Sequence, residues 1–445
     1  MKSGSVTRGV LILGLVALSG CGIFGGGGEK KARTPVLGER LPVLAYEGLV
    51  EADPELAGLP VELPFAVVNA SWTQPGGNAA KSIGHVETDA SLSEAWRVSI
   101  GKGNSKKARL ASAPVVDGGR VFTIDTEAQV RATNADTGRS IWSHRIEMEK
   151  ESSRLAFGGG VSVSGERVYA STGYGIVEAM DAATGNRVWR VNVGVPLRGA
   201  PTIADDRLFV ISQDNQLFAL SLADGAAQWD MAATVETSGL FGAASPATAQ
   251  GTVVAGFSSG ELLALRVENG RVVWQDALAR TGISTSVATL SDIDASPVID
   301  NGQVFAVGKG GRMAALELNT GQRIWEVNVA GTSTPAVVGD WIFVVTDDAK
   351  VVCLARNSGK VRWIAQLPAF RDKKDKKGPI SWAGPLVTSN RLVLVNSRGS
   401  MVSLSPTDGE TLSTQKLSDG TYLPPVAANK TLYVLTEDGR LSAWR

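Results

Sequence analysis

The side chains that most often carry out catalysis or bind metals are scarce in this sequence. Its 445 residues include two histidines, His85 and His144, and two cysteines, Cys21 and Cys353. None of them belongs to a cluster of His, Cys or paired carboxylates with the spacing of a metal site. The chain also contains neither a G-x-S-x-G motif nor a P-loop. We therefore predict a protein without catalytic residues, a bound metal or a cofactor.

The overall charge gives no reason to expect a strongly anionic main partner. The 44 basic and 44 acidic side chains give a formal net charge of zero. Neither nucleic acid nor an anionic membrane surface is therefore expected as the main partner. A basic run at 371–377 is a local exception, and it is either a solvated loop or a contact for acidic partners or lipid headgroups.

Cys21 lies in a context that predicts a modification rather than a reaction. A nine-residue apolar run at 10–18 follows two basic residues, and it is too short for a bilayer span of about 20 residues. The Leu-Ser-Gly-Cys sequence that ends at Cys21 resembles a lipobox, so we predict a signal peptide at 1–20 and acylation, including palmitate, on Cys21. An ordinary secretory signal is the alternative. Gly22, rather than an aspartate, follows, and by resemblance this implies sorting to the outer membrane.

Residues 21–93 are rich in glycine and proline and show no clear period. Such a composition predicts a lipid-anchored tether and arm. The apolar stretch Val61 to Val68 is expected to pair with a sheet edge, and a plain linker is the alternative. The folded domain is predicted to begin at residue 94 and to continue to residue 445.

A repeat dominates residues 94–445. Most units open with a proline, followed by a small residue, a glycine and a tryptophan at fixed offsets, as in Pro201, Ala219, Gly225 and Trp229. Short β-branched and apolar runs alternate with turn residues between these positions, which is typical of strands. The spacing between tryptophans is that of propeller blades. Eight opening positions predict an all-β fold, an eight-bladed β-propeller of four-stranded blades.

The two ends of this segment are expected to meet. The last unit opens at Pro425 and lacks a tryptophan strand, because the chain stops at Arg445. An extra strand of that kind, carrying Trp96, precedes the first unit. The N-terminal strand should therefore complete the C-terminal blade and close the ring.

Most of the tryptophans occupy one repeat position, so we interpret them as structural fillers between blades and not as stacking sites for a ligand. The seven are Trp96, Trp142, Trp189, Trp229, Trp274, Trp325 and Trp363. Cys353 occupies the small-residue position of its unit, which is alanine or serine elsewhere. It is therefore expected to be a buried thiol and not a nucleophile.

The segments at 181–189 (DAATGNRVW) and 319–325 (NTGQRIW) resemble the repeat of quinoprotein propellers. Two groups of proteins share that repeat: the pyrroloquinoline-quinone alcohol dehydrogenases and the BamB family of outer-membrane assembly lipoproteins. The dehydrogenases are longer and typically carry adjacent cysteines over the quinone, which this chain lacks. The lipobox, the length and the compact units are similar to the BamB family.

The resemblance to the BamB family includes a candidate site between the fourth and fifth units. The sequence LSDID at 290–294 resembles an S-D-x-D segment whose aspartates, in that family, help to bind the POTRA domains of the barrel-inserting subunit BamA. The matching partner segment of the family carries Leu-Arg-Gly. The same place here reads LFG. The resemblance thus implies five partner-binding residues: Leu240, Phe241, Gly242, Asp292 and Asp294.

The candidate site departs from the family pattern at one position. Phe241 stands where the family has arginine, and it would replace an electrostatic contact with an apolar one. A Leu-Arg-Gly sequence with Arg198 at its centre occurs one unit earlier, and for that reason no role is assigned to it. The alternative interpretation of Asp292 and Asp294 is that they only cap a turn between units.

The resemblance implies a non-enzymatic scaffold subunit of the outer-membrane β-barrel assembly complex, anchored by lipid on the periplasmic face of the outer membrane. Its expected partners are BamA, through the POTRA domains, and unfolded outer-membrane proteins, whose folding and insertion it would assist. The lipid anchor would be its only membrane contact. Two alternatives stay open: a quinone-dependent dehydrogenase and an envelope propeller with another partner.

Overall fold

The computed structural model describes residues 50–147, 157–235, 242, 244–278, 292–309 and 311–445. These residues form eight four-stranded antiparallel sheets, one for each repeat unit, and the first strands of neighbouring sheets lie side by side around a central channel. The prediction of an all-β, eight-bladed propeller is confirmed. We number the blades I to VIII in chain order and call the first strand of each blade its inner strand.

Each blade is a meander of short strands joined by tight turns. The described chain begins with a short 3-10 helix (Pro54–Leu56), and strand β1 (Glu94–Ser99) precedes blade I. Blades I to IV contain β2 (Val115–Asp117), β3 (Arg120–Ile124), β4 (Gln129–Asn134), β5 (Ser140–Arg145), β6 (Gly159–Ser164), β7 (Arg167–Thr172), β8 (Ile176–Asp181), β9 (Arg187–Asn192), β10 (Thr202–Ala204), β11 (Arg207–Ile211), β12 (Gln216–Ser221), β13 (Ala227–Ala232), β14 (Ala247–Ala249), β15 (Thr252–Gly256), β16 (Glu261–Arg266) and β17 (Val272–Ala277).

The second half repeats this plan with one insertion, a hairpin between blades VI and VII that carries the exposed basic run 371–377. Its strands are β18 (Val298–Asp300), β19 (Gln303–Gly308), β20 (Arg312–Glu317), β21 (Arg323–Val327), β22 (Ala336–Val338), β23 (Trp341–Val345), β24 (Lys350–Ala355), β25 (Val361–Gln366), the hairpin strands β26 (Phe370–Asp372) and β27 (Lys377–Pro379), then β28 (Trp382–Thr388), β29 (Arg391–Asn396), β30 (Ser400–Leu404), β31 (Thr411–Lys416), β32 (Val426–Ala428), β33 (Thr431–Leu435) and β34 (Arg440–Trp444).

The ring closes as predicted, because β1 supplies the outer strand of blade VIII. It pairs antiparallel with β34, the last strand of the chain, and Trp96 lies opposite Ala443. The sheet order is β1-β34-β33-β32. Blade VIII therefore joins the two ends of the propeller through a continuous set of backbone hydrogen bonds.

Neighbouring blades meet at eight interfaces, which we call seams, and seven of them share one contact. The indole of Trp229, for example, donates from Nε1 to the carbonyl of Val267 at 2.9 Å, and its ring lies where a Cβ on Gly270 would be. Gly270 has a φ of +69°, so glycine suits this position for both conformation and space. The same hydrogen bond to the next blade is made by Trp96, Trp142, Trp189, Trp274, Trp325 and Trp363.

The seam between blades VII and VIII is built differently, because Ser413 replaces the tryptophan there. The arm fills this seam. Arg391 of blade VII donates to the carbonyl of Ala90 at 2.6 Å and to Thr88 Oγ1 at 3.1 Å. Lys430 of blade VIII forms an ion pair with Glu87 at 2.8 Å. Arm residues thus link blades VII and VIII, whose seam lacks the indole contact.

Residues 64–90 of the arm enter the channel at one end, and we call them the plug. Inner strands have a free backbone edge toward the channel, and buried edge groups need hydrogen-bond partners. The plug supplies them, because the second-to-last residue of seven inner strands hydrogen-bonds to it. These residues are Val116, Val163, Ile203, Thr248, Ile299, Val387 and Ala427.

The apolar stretch at 61–68 is divided between burial and exposure. Val61 is buried against blades VI and VII, whereas Phe65 and Val67 are exposed. Val67 forms a parallel bridge with Val86, which in turn bridges to Thr388 at the end of β28. The plug therefore extends the inner edge of blade VII by two short strand segments.

Candidate functional site

The candidate site is formed by three chain segments that lead into neighbouring inner strands. We call them the leading segments: 194–201 of blade III, 242 and 244–246 of blade IV, and 292–297 of blade V. They lie at the end of the channel opposite the plug, which we call the mouth. Since inner strands of a propeller run in the same direction, residues that precede them converge at one end of the channel.

Hydrogen bonds link the leading segments in series. Ser245 donates from Oγ to the carbonyl of Ala200 at 2.8 Å, and its backbone N–H donates to Ser296 Oγ at 3.0 Å. Ser296 N–H donates in turn to Thr334 Oγ1 of blade VI at 3.2 Å. Blades III to VI are therefore held in register at the mouth by side chains as well as by packing.

Arg198 and Asp294 form a buried ion pair within this arrangement. Arg198 Nη2 lies 3.0 Å from Asp294 Oδ1, and the two side chains are 2% and 8% exposed. The guanidinium begins on blade III and ends on blade V, so it passes the leading segment of blade IV. A Cβ on Gly242 would overlap both Asp294 Oδ1 and Arg198 Nη2. Three blades thus meet at one ion pair.

The backbone on either side fixes the two charged groups. Arg198 donates its N–H to the carbonyl of Ile211 at 2.8 Å and accepts from Gly159 N–H at 2.8 Å. Ile293, between the two aspartates, donates to the carbonyl of Phe257 at 3.1 Å and is fully buried. The Arg198 end of the ion pair is therefore held by β6 and β11, and the Asp294 end by the residue that follows β15.

Burial shifts the pKa values of the two side chains in opposite directions. It lowers the pKa of Arg198, an effect that the charges of Asp294 and Asp292 oppose. It raises the pKa of Asp294, and here Arg198 acts in the opposite direction. A charge in a low-dielectric environment persists when a partner compensates it, so each side chain depends on the other. Arg198 Nη1 is also buried and has no hydrogen-bond partner among the described residues.

Three of the five residues in the predicted partner-binding set can be located. Gly242 and Asp294 meet at the ion pair, and Asp292, which is 1% exposed, lies in the same buried segment. Leu240 and Phe241 lie outside the described residues, as does Cys21. The structure therefore presents the two aspartates as buried groups beneath the surface of the mouth.

Arg198 is the functional candidate that the sequence analysis missed. Its Leu-Arg-Gly sequence was set aside because it lies one unit before the expected place. The side chain nevertheless delivers a guanidinium to Asp294. The signal that could have identified it is the ring itself, because leading segments two blades apart come within reach of a long side chain.

The other residues with reactive groups have structural surroundings. Cys353 is fully buried opposite Trp363 on the neighbouring strand, and burial raises the pKa of its thiol. His85 accepts at Nε2 from the N–H of Asn390 at 3.0 Å, so its Nδ1 carries the proton and donates to the carbonyl of Pro64 at 2.7 Å. His144 contacts the buried carboxylate of Glu178 across the seam between blades I and II.

The described part of the chain lacks two kinds of site. No group of three or more His, Cys, Asp or Glu side chains in those residues is placed to hold a metal ion. In the same residues, no helix is both long and apolar enough to cross a bilayer.

Comparison with known proteins identifies the family. The sequence model described as outer membrane protein assembly factor BamB matches residues 85–153 and 126–365. The chain belongs to the BamB family. The assembly factor BamB of Escherichia coli strain K12 is 30% identical over 360 residues, which cover 80% of this chain and 89% of that protein. BamB of Yersinia pestis is 26% identical over 81% of this chain and 90% of that protein. The resemblance inferred from the repeat is thus confirmed.

Solved structures show the same fold in BamB and in enzymes. The crystal structure of BamB from Moraxella catarrhalis superposes with a TM-score of 0.67 at 19% identity, covering 80% of this chain and all of that one. Quinohemoprotein alcohol dehydrogenase from Comamonas testosteroni gives a TM-score of 0.68 at 13% identity, covering 85% and 81%. At these identities the likeness concerns the propeller fold alone.

Proposed function

We propose that this protein is a non-catalytic scaffold subunit of the outer-membrane β-barrel assembly complex. In this proposal the mouth of the propeller binds the POTRA domains of BamA and assists the folding and insertion of outer-membrane proteins. Membership of the BamB family, whose relatives in Escherichia coli and Yersinia pestis are named assembly factors, supports this function. An acylated Cys21 would tether the scaffold to the periplasmic face of the outer membrane.

The observation that carries the proposal is the Arg198–Asp294 ion pair, 3.0 Å long, at the junction of three blades. A docking surface binds with less entropic cost when the residues beneath it hold it in place before the partner binds. The pair joins the leading segments of blades III and V and tolerates only glycine between them. In this proposal, Arg198 and the aspartates position the mouth, and POTRA contacts come from residues above them.

The experiment is co-purification of BamA with the tagged, lipidated protein from solubilised outer membranes. Asp294→Asn removes the charge with little change of shape and takes from Arg198 its hydrogen-bonded carboxylate. We expect BamA recovery to fall by about tenfold or more. Near-ultraviolet circular dichroism of the variant should match that of the wild type, because the blades remain packed.

The matched control is Asp300→Asn, which breaks a second arginine–aspartate pair at the plug end of β18, the strand that follows Asp294 in the chain. If recovery falls for Asp294→Asn and not for Asp300→Asn, the mouth is the docking face. Equal recovery with both variants would refute the assignment of the site. Failure of the wild-type protein to recover BamA would refute the proposed partner.

The non-catalytic part of the proposal has its own test, since the fold is shared with quinone-dependent enzymes. The protein purified from membranes should show no quinone absorbance, and addition of pyrroloquinoline quinone with calcium should produce no alcohol oxidation. Turnover under these conditions would replace the scaffold proposal with the enzymatic one.

A further inference from the structure

A cavity occupies the channel between the plug and the mouth. Its volume is about 210 Å³, whereas a single water needs roughly 10–15 Å³ of such space. The wall is mainly apolar, with Trp72 and Ile83 from the plug and Val337, Leu386 and Val426 from inner strands. Tyr422, which is half exposed, lies on the wall as well, so the cavity reaches solvent. A small organic molecule fits this space.

Lys81 places an ammonium group at this apolar wall. The residue is 4% exposed, and its Nζ makes one hydrogen bond within the described residues, to Thr202 Oγ1 at 3.0 Å. That hydroxyl donates its own proton to the carbonyl of Pro246. An ammonium group has three N–H donors, so Lys81 retains donor capacity for another acceptor.

The plug backbone is shaped around this lysine. Lys81 has a φ of +62°, a conformation that costs a side-chain-bearing residue free energy. Gly76 lies against it, and a Cβ there would approach Lys81 Cα to 2.9 Å. Burial alone lowers the pKa of Lys81 to about 7. Lys81 has no carboxylate partner among the described residues, so its buried charge is uncompensated there, and an anion in the cavity would compensate it.

We propose that the channel cavity binds a small organic monoanion with an apolar body, whose charged group is held by Lys81. The apolar wall would bury the body, and the remaining donors of Lys81 would bind the anionic oxygen atoms. The other charged group on the wall of the described residues, Asp294, is already compensated by Arg198. This inference does not depend on the proposed function, and the family match begins at residue 85, after the lysine.

The test is equilibrium dialysis of the full lipidated chain in nanodiscs with radiolabelled benzoate, and with benzamide as the neutral analogue of the same shape. Benzoate should bind saturably with one site per chain. Lys81→Met should weaken benzoate binding by about tenfold or more, because it removes the charge-assisted hydrogen bonds. The control Lys106→Met, at an exposed lysine, should bind as the wild type does.

A second measurement on the wild type needs no substitution. A lysine with a pKa of about 7 is half protonated at pH 7 and largely neutral by pH 9, so the dissociation constant for benzoate should rise by up to about tenfold per pH unit in this range. Benzamide binding should stay constant over the same range. Asp294 and Tyr422 line the cavity for both ligands, so benzamide is the control for any effect of their titration. Absence of saturable benzoate binding, or binding that neither Lys81→Met nor pH changes, would overturn the proposal.

Discussion

The two ends of the channel carry chemically similar pairs in different surroundings. At the plug end Arg356 pairs with Asp300, the last residue of β18, and also donates to Gln303 and to the carbonyl of Asp300. Ser82 of the plug donates to the same carboxylate at 2.8 Å. At the mouth Arg198 reaches Asp294, while its Nη1 is buried without a partner among the described residues.

The difference separates a structural pair from a functional candidate. Buried polar groups in folded proteins are nearly always hydrogen-bonded, and exceptions are informative. The pair at the plug end is satisfied by blades V and VI and by the plug, so it needs nothing from outside. The pair at the mouth spans three blades, and its Arg198 Nη1 has no partner among the described residues, which makes the mouth the candidate for contact with a partner.

The largest expected effect is the loss of stability when a buried side chain of the plug is removed. Trp72 is 5% exposed and exchanges two backbone hydrogen bonds with Val116, so Trp72→Ala should lower the free energy of unfolding by about 3–5 kcal/mol. Urea unfolding followed by circular dichroism measures this loss. Phe65→Ala is the control, because Phe65 belongs to the same plug but is 97% exposed, and it should change stability by less than about 0.5 kcal/mol. A similar loss for both variants would show that the plug is not packed as described.

A smaller effect on stability and a larger one on binding are expected at the mouth. Gly242→Ala would force Arg198 and Asp294 apart, at a cost of about 1–3 kcal/mol. The matched change Gly58→Ala meets no atom within 4 Å and should be neutral. BamA recovery should fall for Gly242→Ala and remain unchanged for Trp72→Ala, provided that the latter is still folded at the assay temperature. The reverse result would move the docking face to the plug end.

The smallest effect is expected away from both ends, within blade VI. Cys353→Ala places there the residue that most other blades carry, so stability should change by about 1 kcal/mol or less. Because burial raises the pKa of the thiol, Cys353 in the native protein should not react with Ellman's reagent at neutral pH, whereas the urea-unfolded chain should react fully. Rapid reaction of the native protein would contradict the burial of this residue.

Much of the fold was predictable because it is periodic. Each repeat tryptophan needs a glycine on the next blade, and this local pair, such as Trp229 and Gly270, is visible as a fixed spacing in the sequence. The last unit, which lacks a tryptophan strand, and the extra strand with Trp96 likewise showed where the ring closes. The aspartates and Gly242 were found through a motif, since a leading segment is continuous in sequence.

What only the tertiary structure decided depends on residues that are distant in sequence and close around the channel. Arg198 and Asp294 are separated by 96 positions, and only the curvature of the ring brings their segments together. The plug shows no period, since it meets seven of the inner strands, with a different residue each time. The sequence by itself therefore determined the blades and their order, because adjacent blades repeat one local contact. The contents of the channel were decided by ring closure, which joins segments that no local pattern relates.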